Sequence, residues 1–264
     1  MNGYTKPGLM VLMIFVVLAL CSALAAYILY STVRLTGLQG PYPSFRYSLW
    51  PLTIIGITTG ILVYLGGFFI LLGRKEFGET HRKYISYSII IFLAVSVLVL
   101  VFTRSVSLTA FSWITAGQPF SHFTDTADYF RTTVISTLVD SFILGIPLGL
   151  IWVLPLYNLE NKKGRLILLA AFVTMILVPI VTFIGSYTVI NNWISQGILD
   201  TLAGANASAM KSELFSIAAW IGPTGIILLL CWLLQYILMF IALYIPYKRI
   251  ATGELKPNLS TAQK

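Results

Sequence analysis

Residues 84–103 read YISYSIIIFLAVSVLVLVFT, a run of 20 residues without a charged side chain, bounded by Lys83 and Arg104. An α-helix of this length covers about 30 Å, which is the thickness of the hydrocarbon core of a bilayer. Five further apolar stretches of similar or greater length lie before and after it. Together, the six predicted spans cover about residues 8–33, 49–73, 84–103, 132–157, 166–190 and 214–245.

The composition of the whole chain supports the same interpretation. Hydrophobic residues make up 58% of the sequence and charged residues only 10%, and the mean hydropathy is +0.88. A water-soluble surface cannot be built from so few charges. Lipid offers no hydrogen-bond partner to an open backbone, and the sequence lacks the two-residue alternation of a barrel strand. We therefore predict an all-α fold: one domain of six transmembrane helices over residues 1–250, followed by a short tail over 251–264.

The distribution of basic residues predicts the orientation of these helices. Twelve Lys and Arg residues fall on the side of the two termini and the two short loops, and five fall on the other side. By the positive-inside rule, the termini and the loops at 74–83 and 158–165 are cytoplasmic, in a multi-pass protein of the cell membrane. The net charge of +8 then indicates attraction to anionic lipid headgroups and not nucleic-acid binding.

The outer connection at residues 104–131 is rich in aromatic side chains and also carries His122, Asp125 and Asp128. It is too aromatic for a solvated linker and too polar to span. We expect an ordered helical or re-entrant cap. The three polar residues have spacings that suit either a metal site or a polar loop with a capping aspartate, and the loop is the simpler interpretation.

Two cytoplasmic hairpins resemble each other. Residues 71–84 and residues 154–165 each run from a helix end through a basic turn into the next helix. With the helix spacing over about residues 49–250, these hairpins resemble an uncharacterised archaeal family of multi-helix membrane proteins that is classed as a domain of unknown function. That resemblance implies no activity and no functional residues.

Sequence motifs of enzymes are absent. The chain has two histidines, so it lacks the pairs of intramembrane axial ligands that a haem protein of the cytochrome b type needs. It contains no HExxH, no GxSxG, no Gly-rich phosphate loop and no Cys-rich cluster. We therefore expect no enzyme activity, no cofactor and no metal.

Asp140 is the residue that needs an explanation. It lies about eight residues inside the fourth predicted span, where an ionised carboxylate costs roughly 2.5–3.5 kcal/mol on insertion scales. Hydroxyl side chains accompany it at helical three- and four-residue spacings, which places one polar face on this helix. This face is either a transport cavity or a self-satisfied hydrogen-bond cluster between helices. Its members are Thr133, Ser136, Thr137, Asp140 and Ser141.

Two pairs of glycines suggest close helix packing. Gly56 with Gly60 and Gly145 with Gly149 each form a small-xxx-small motif, which lets neighbouring helices approach.

These features favour a small permease or channel-like protein that uses the polar face around Asp140. The alternative is a non-catalytic membrane subunit or scaffold of a larger complex, which the lack of any soluble domain and the aromatic outer segment would suit. The expected partners are the lipid bilayer and, for the alternative, other membrane proteins; the sequence does not identify a transported ion or solute.

Overall fold

The computed structural model describes residues 3–36, 50–115, 145–147, 149–195 and 223–257, and these ranges contain helices and no strand. The all-α prediction is thereby confirmed for this part of the chain. In chain order the helices are α1 Thr5–Thr36, α2 Trp50–Leu72, α3 Glu79–Thr115, α4 Gly145–Tyr157, α5 Lys162–Ser195 and α6 Pro223–Ala251.

Three of these helices contain segments that are long and apolar enough to cross a membrane, at Thr5–Ala25, Lys162–Val189 and Gly225–Ala251. Ile57–Leu72 and Gly145–Tyr157 are apolar but shorter within the described ranges. A helical membrane protein is therefore compatible with the fold. The count of six spans and their orientation remain predictions.

Several helices extend beyond the limits that hydropathy predicted. α3 continues past Arg104 to Thr115, into the segment predicted as an outer cap, whose remaining residues 116–131 lie outside the described ranges. Hydropathy reports the length that suits lipid, whereas a helix ends where its backbone meets a residue that stops it.

The end of α6 is defined by a glycine cap. Gly253 has a φ of 75°, in the left-handed region, and its N–H donates to the Ile250 carbonyl over 3.3 Å. The N–H of Leu255 donates to the Arg249 carbonyl over 2.9 Å. Such a cap satisfies carbonyls that the end of a helix would otherwise leave without a donor.

α1 and α2 approach each other closely at two glycines. A Cβ atom placed on Gly8 would lie 3.0 Å from the carbonyl oxygen of Gly66, and one placed on Gly66 would lie 2.6 Å from Cγ of Leu12. Gly60, which the sequence motif proposed as a packing residue, has no described atom within 4 Å of such a Cβ. Gly149 does pack closely, because a Cβ there would lie 2.6 Å from Cε2 of Phe172 on α5.

The buried core joins the helices on both sides of this crossing. Leu9, Leu12 and Val16 of α1 are almost wholly buried, together with Leu156 of α4 and Leu243 of α6. Aromatic contacts add further links: the rings of Phe15 and Trp152 stack with centroids 6.2 Å apart, and the rings of Tyr84 and Tyr157 meet edge to face with centroids 6.3 Å apart.

The outer faces of the helices are also apolar. Ile57 and Tyr64 of α2 are 61% and 68% exposed, and Leu166 of α5 is 66% exposed. Soluble monomers rarely expose large contiguous apolar patches, so an apolar exterior of this kind indicates contact with lipid or with another membrane protein.

Candidate functional site at the basic end

Contacts between helix termini bring one end of every described helix to the same end of the molecule. Tyr4, before α1, bonds to Glu76 in the α2–α3 turn, and Lys6 lies 5.7 Å from the ring centroid of Tyr247 near the end of α6. Arg249 of α6 bonds to the carbonyl of Leu159 in the α4–α5 turn. We call this region, made of residues 3–6, 73–84, 157–165 and 247–257, the basic end.

The basic end holds eleven of the twelve cations that the sequence placed on one side; Lys264 lies outside the described ranges. Eight of these side chains are exposed to solvent, and three are partly buried. The structure therefore gathers this charge at one end of the helices. Its members are Lys6, Arg74, Lys75, Arg82, Lys83, Lys162, Lys163, Arg165, Lys248, Arg249 and Lys256.

Glu76 is buried at the basic end and caps the start of α1, although it lies in the α2–α3 turn. Only 6% of its surface is exposed, and its carboxylate accepts hydrogen bonds from the backbone N–H groups of Tyr4 and Thr5, the latter over 3.2 Å. α1 has no acidic residue in its own first turn. The free N–H groups and the positive end of the helix dipole are thus satisfied by a carboxylate from the α2–α3 turn.

Two glycines leave the space for this cap. A Cβ atom on Gly73 would lie 2.9 Å from the Thr5 nitrogen, and a Cβ atom on Gly3 would lie 2.8 Å from Oε2 of Glu76. Any side chain at either position would have to displace the capping carboxylate or the first turn of α1. The local sequence therefore fits the cap.

Glu160 is the second buried acid at the basic end, and its environment is different. It is 3% exposed, and neither carboxyl oxygen has a hydrogen-bond partner among the described residues. Its side chain folds over Gly164 in the first turn of α5, where a Cβ would overlap Oε2. Burial raises the pKa of Glu160 to about 8, although the nearby charges of Arg249 and Arg165 act in the opposite direction.

The two arginines near Glu160 make their hydrogen bonds to other groups. Nε of Arg249 donates to Oε1 of Glu254 over 2.8 Å, and its Nη1 donates to the Leu159 carbonyl. Nε of Arg165 donates to the Tyr157 carbonyl over 3.1 Å, and its guanidinium carbon lies 4.6 Å from the centroid of the Tyr157 ring. These bonds join the start of α5 to the end of α4 and the α4–α5 turn to α6, and they also hold Glu254 against Arg249.

His81 lies in the first turn of α3 and is fully buried. Its ring meets the edge of the Phe77 ring with centroids 5.5 Å apart, and neither ring nitrogen has a partner in the described ranges. Burial lowers the pKa of His81 to about 4, so the ring is neutral at pH 7. His81 therefore packs as an uncharged ring beside Phe77.

A cleft of about 380 Å³ opens between the start of α1 and the end of α6. Lys6 and Glu76 provide its charged groups, and the rest of the lining is largely apolar. Its other lining residues are Gly3, Pro7, Met10, Tyr247, Ile250 and Pro257. Within the described ranges, no group of three or more His, Cys, Asp or Glu side chains could hold a metal ion.

The polar face predicted from the sequence falls outside the described residues. Thr133, Ser136, Thr137, Asp140 and Ser141 all belong to residues 116–144. The hypothesis that they line a cavity therefore stays a prediction. His122, Asp125 and Asp128 lie in the same range.

The chain was compared with protein families, curated proteins and solved structures. No family model, no curated protein and no solved structure matches the chain. The resemblance of residues 49–250 to an uncharacterised archaeal family stays a prediction.

Asp140 is the acid that stands out in the sequence, whereas the roles of Glu76 and Glu160 are visible only in the structure. A signal was available, because each of the two similar hairpins carries at least one acid among several basic residues, Glu76 and Glu79 in the first and Glu160 in the second. In both hairpins, one acid lies buried against the first turn of a helix. The structure uses the two acids differently, since only Glu76 meets free backbone donors.

Proposed function

We propose that the chain is a multi-pass integral protein of the cell membrane, with six transmembrane helices and its basic end in the cytoplasm. We further propose that it acts as a small permease or channel-like protein and catalyses no reaction. The observation that carries the membrane assignment is the set of three long apolar helices with exposed apolar outer faces. Lipid is the solvent that such faces require.

The orientation is supported by the charge at the basic end. The cytoplasmic ends of transmembrane helices carry an excess of Lys and Arg in short loops. The α2–α3 and α4–α5 turns are short and basic, and they lie beside the start of α1 and the end of α6. In this orientation the cytoplasmic leaflet, with its anionic lipids, faces the exposed lysines and arginines.

The transport hypothesis is supported by the polar face around Asp140. An ionisable residue inside a span is expected to face the bundle interior or water, where it commonly marks an ion pathway. Thr133, Ser136, Thr137 and Ser141 would line the same side of that helix.

A liposome flux assay with Asp140→Asn tests this proposal. The substitution keeps the shape and most hydrogen bonds but removes the charge, so ion flux should fall while expression and thermal unfolding are unchanged. Asp128→Asn removes an equal charge from the outer segment and should retain flux. If wild-type liposomes conduct no ion tested, or if both variants behave as wild type, the transport proposal fails.

The alternative is a non-catalytic membrane subunit or scaffold. The same exposed apolar faces that suit lipid would suit neighbouring membrane helices, as at Leu166, Val173 and Leu177 of α5. Purification from native membranes in mild detergent distinguishes the two. A stoichiometric partner, combined with an absence of flux, would favour the subunit.

A further inference from the structure

We propose that Glu160 is a proton-binding site at the basic end. In the arrangement of the structure its carboxyl group carries a proton, and loss of that proton redirects Arg249 from its present partners toward Glu160. This site lies apart from the Asp140 face, and the proposal does not depend on whether the protein transports ions.

The carboxyl group of Glu160 is enclosed by the protein. Glu160 is 3% exposed, and neither of its oxygens has a hydrogen-bond partner in the described part of the chain. It lies over Gly164, the position at which a larger residue would displace it. A buried carboxylate without hydrogen bonds is strongly disfavoured, so such a group takes up a proton instead.

The two arginines beside Glu160 donate their hydrogen bonds to other groups. Arg249 faces Glu160 from α6 but donates to Leu159 and Glu254, and Arg165 faces it from α5 but donates to the Tyr157 carbonyl. An ionised carboxylate would compete for both guanidinium groups, because each of them donates to a neutral backbone carbonyl and a charge-assisted bond is stronger than such a bond. The observed bonds are those expected beside a neutral carboxyl group.

Other charged side chains near Glu160 are exposed to solvent. Lys162 and Lys163 at the start of α5 are exposed, as is Glu254 in the segment after α6, while Tyr157 from α4 lies under Arg165. Among the described residues, Arg249 and Arg165 are therefore the cations positioned to respond when Glu160 ionises.

Glu76 provides an internal comparison. It is nearly as buried as Glu160 and lies at the same end of the molecule, yet two backbone N–H groups bond to its oxygens. The two similar hairpins thus each bury one acid, but Glu76 accepts two backbone hydrogen bonds whereas Glu160 accepts none from the described residues.

Proton release should loosen the end of α6. The bond between Arg249 and Leu159 joins α6 to the α4–α5 turn, and the bond to Glu254 holds the segment after the helix. If Arg249 turns toward an ionised Glu160, its bond to the Leu159 carbonyl is lost, and Glu254 has to compete with Glu160 for the guanidinium. The pKa of about 8 sets the range, so the protonated fraction falls from about 90% at pH 7 to about 10% at pH 9.

The test is hydrogen exchange of the full-length protein in nanodiscs between pH 6 and pH 9.5, corrected for the intrinsic pH dependence of exchange. In wild type, amide protection over 248–257 should fall severalfold as the pH rises through about 8. In Glu160→Gln, which mimics the protonated form, protection should stay constant. Glu76→Gln is the control and should keep the wild-type response over 248–257.

Infrared spectroscopy provides a second measurement that needs no folded variant. A pH difference spectrum of the wild-type protein should show the carbonyl stretch of a protonated carboxylic acid disappearing between pH 7 and pH 9. A spectrum in which that band is absent at pH 7 would overturn the proposal. So would a protection profile over 248–257 that is the same in wild type and Glu160→Gln.

Discussion

Replacing Gly66 by alanine should destabilise the protein, because α1 and α2 leave no space for a methyl group where they cross. The added Cβ would lie 2.6 Å from Cγ of Leu12 and 3.2 Å from the Gly8 carbonyl oxygen. Carbon atoms in contact prefer separations of about 3.5–4.0 Å, so α1 would have to move by roughly 1 Å or Leu12 would have to leave its rotamer.

The cost follows from these distances. Overpacking a tight contact costs about 1–3 kcal/mol. Alanine gains at most about 1 kcal/mol over glycine in helix propensity. We expect a net loss of about 1–2 kcal/mol for Gly66→Ala, since Leu12 can give way in part whereas the Gly8 backbone cannot.

The adjacent residue is a matched control. Gly67 lies on the same helix, is exposed, and has no described atom within 4 Å of an added Cβ. Gly67→Ala should therefore be neutral or slightly stabilising. The measurement is equilibrium unfolding of both variants in the same micelles, followed by helix content.

A double mutant separates the clash from other effects. Leu12→Ala alone should cost about 2–5 kcal/mol, because Leu12 is fully buried. It also removes the atoms that the new methyl group would meet, so adding Gly66→Ala to it should cost clearly less than in the wild-type background. Additive effects, or equal stability of the Gly66 and Gly67 variants, would refute the proposed crossing.

Three further predictions concern the basic end. Glu76→Ala should lower the free energy of unfolding by about 1–3 kcal/mol, since it leaves the N–H groups of Tyr4 and Thr5 without their acceptor; thermal unfolding measures this, and Glu79→Ala, which removes only an exposed ion pair, should cost less than about 1 kcal/mol. Because the pKa of His81 falls from 6.5 to about 4 on folding, the unfolded chain binds more protons between these values, so stability should drop as the pH is lowered from 6.5 to 4; His81→Leu should lack this slope, and an unchanged slope would show that another group causes it. A cysteine introduced at Thr80, in a variant without the two native cysteines, should react with an impermeant reagent only after the cells are opened; labelling of intact cells would reverse the proposed orientation.

Glu160 makes a contribution to the pH dependence of stability that is opposite in sign to the contribution of His81. Its pKa rises from 4.5 to about 8 on folding, so the folded state binds more protons within that range. Stability should therefore decline as the pH rises from 4.5 to 8 and level off above it. Between pH 4.5 and pH 6.5, the loss of stability caused by Glu160 opposes the gain caused by His81. Above pH 6.5, only the effect of Glu160 is expected.

The helical class could be predicted from the sequence because hydropathy responds directly to the solvent around each segment. Apolar stretches predicted the centres of the described helices, such as residues 166–190 inside Lys162–Ser195. Their ends could not be predicted in the same way. The end of α6 depends on the left-handed turn at Gly253, and α3 continues past a charged residue.

The packing and the buried acids were beyond sequence reasoning for a different reason. The sequence contains several glycine pairs, and nothing in their spacing says that Gly66 meets α1 while Gly60 has open space beside it. In the same way, the burial of Glu76 and Glu160 depends on which helix ends meet. From the sequence alone, an acid in a basic turn is expected to be solvated. Its burial becomes visible only when the positions of the neighbouring helix termini are known.

The cap on α1 also bears on how the protein is made. Thr5 leaves the ribosome long before Glu76, so the leading amide groups of α1 stay hydrated until Glu76 has been synthesised. They find their acceptor only after α2 has been synthesised and has folded back beside α1. The first two helices are therefore expected to become resistant to protease as a pair, and nascent chains halted before residue 76 should keep an accessible amino terminus.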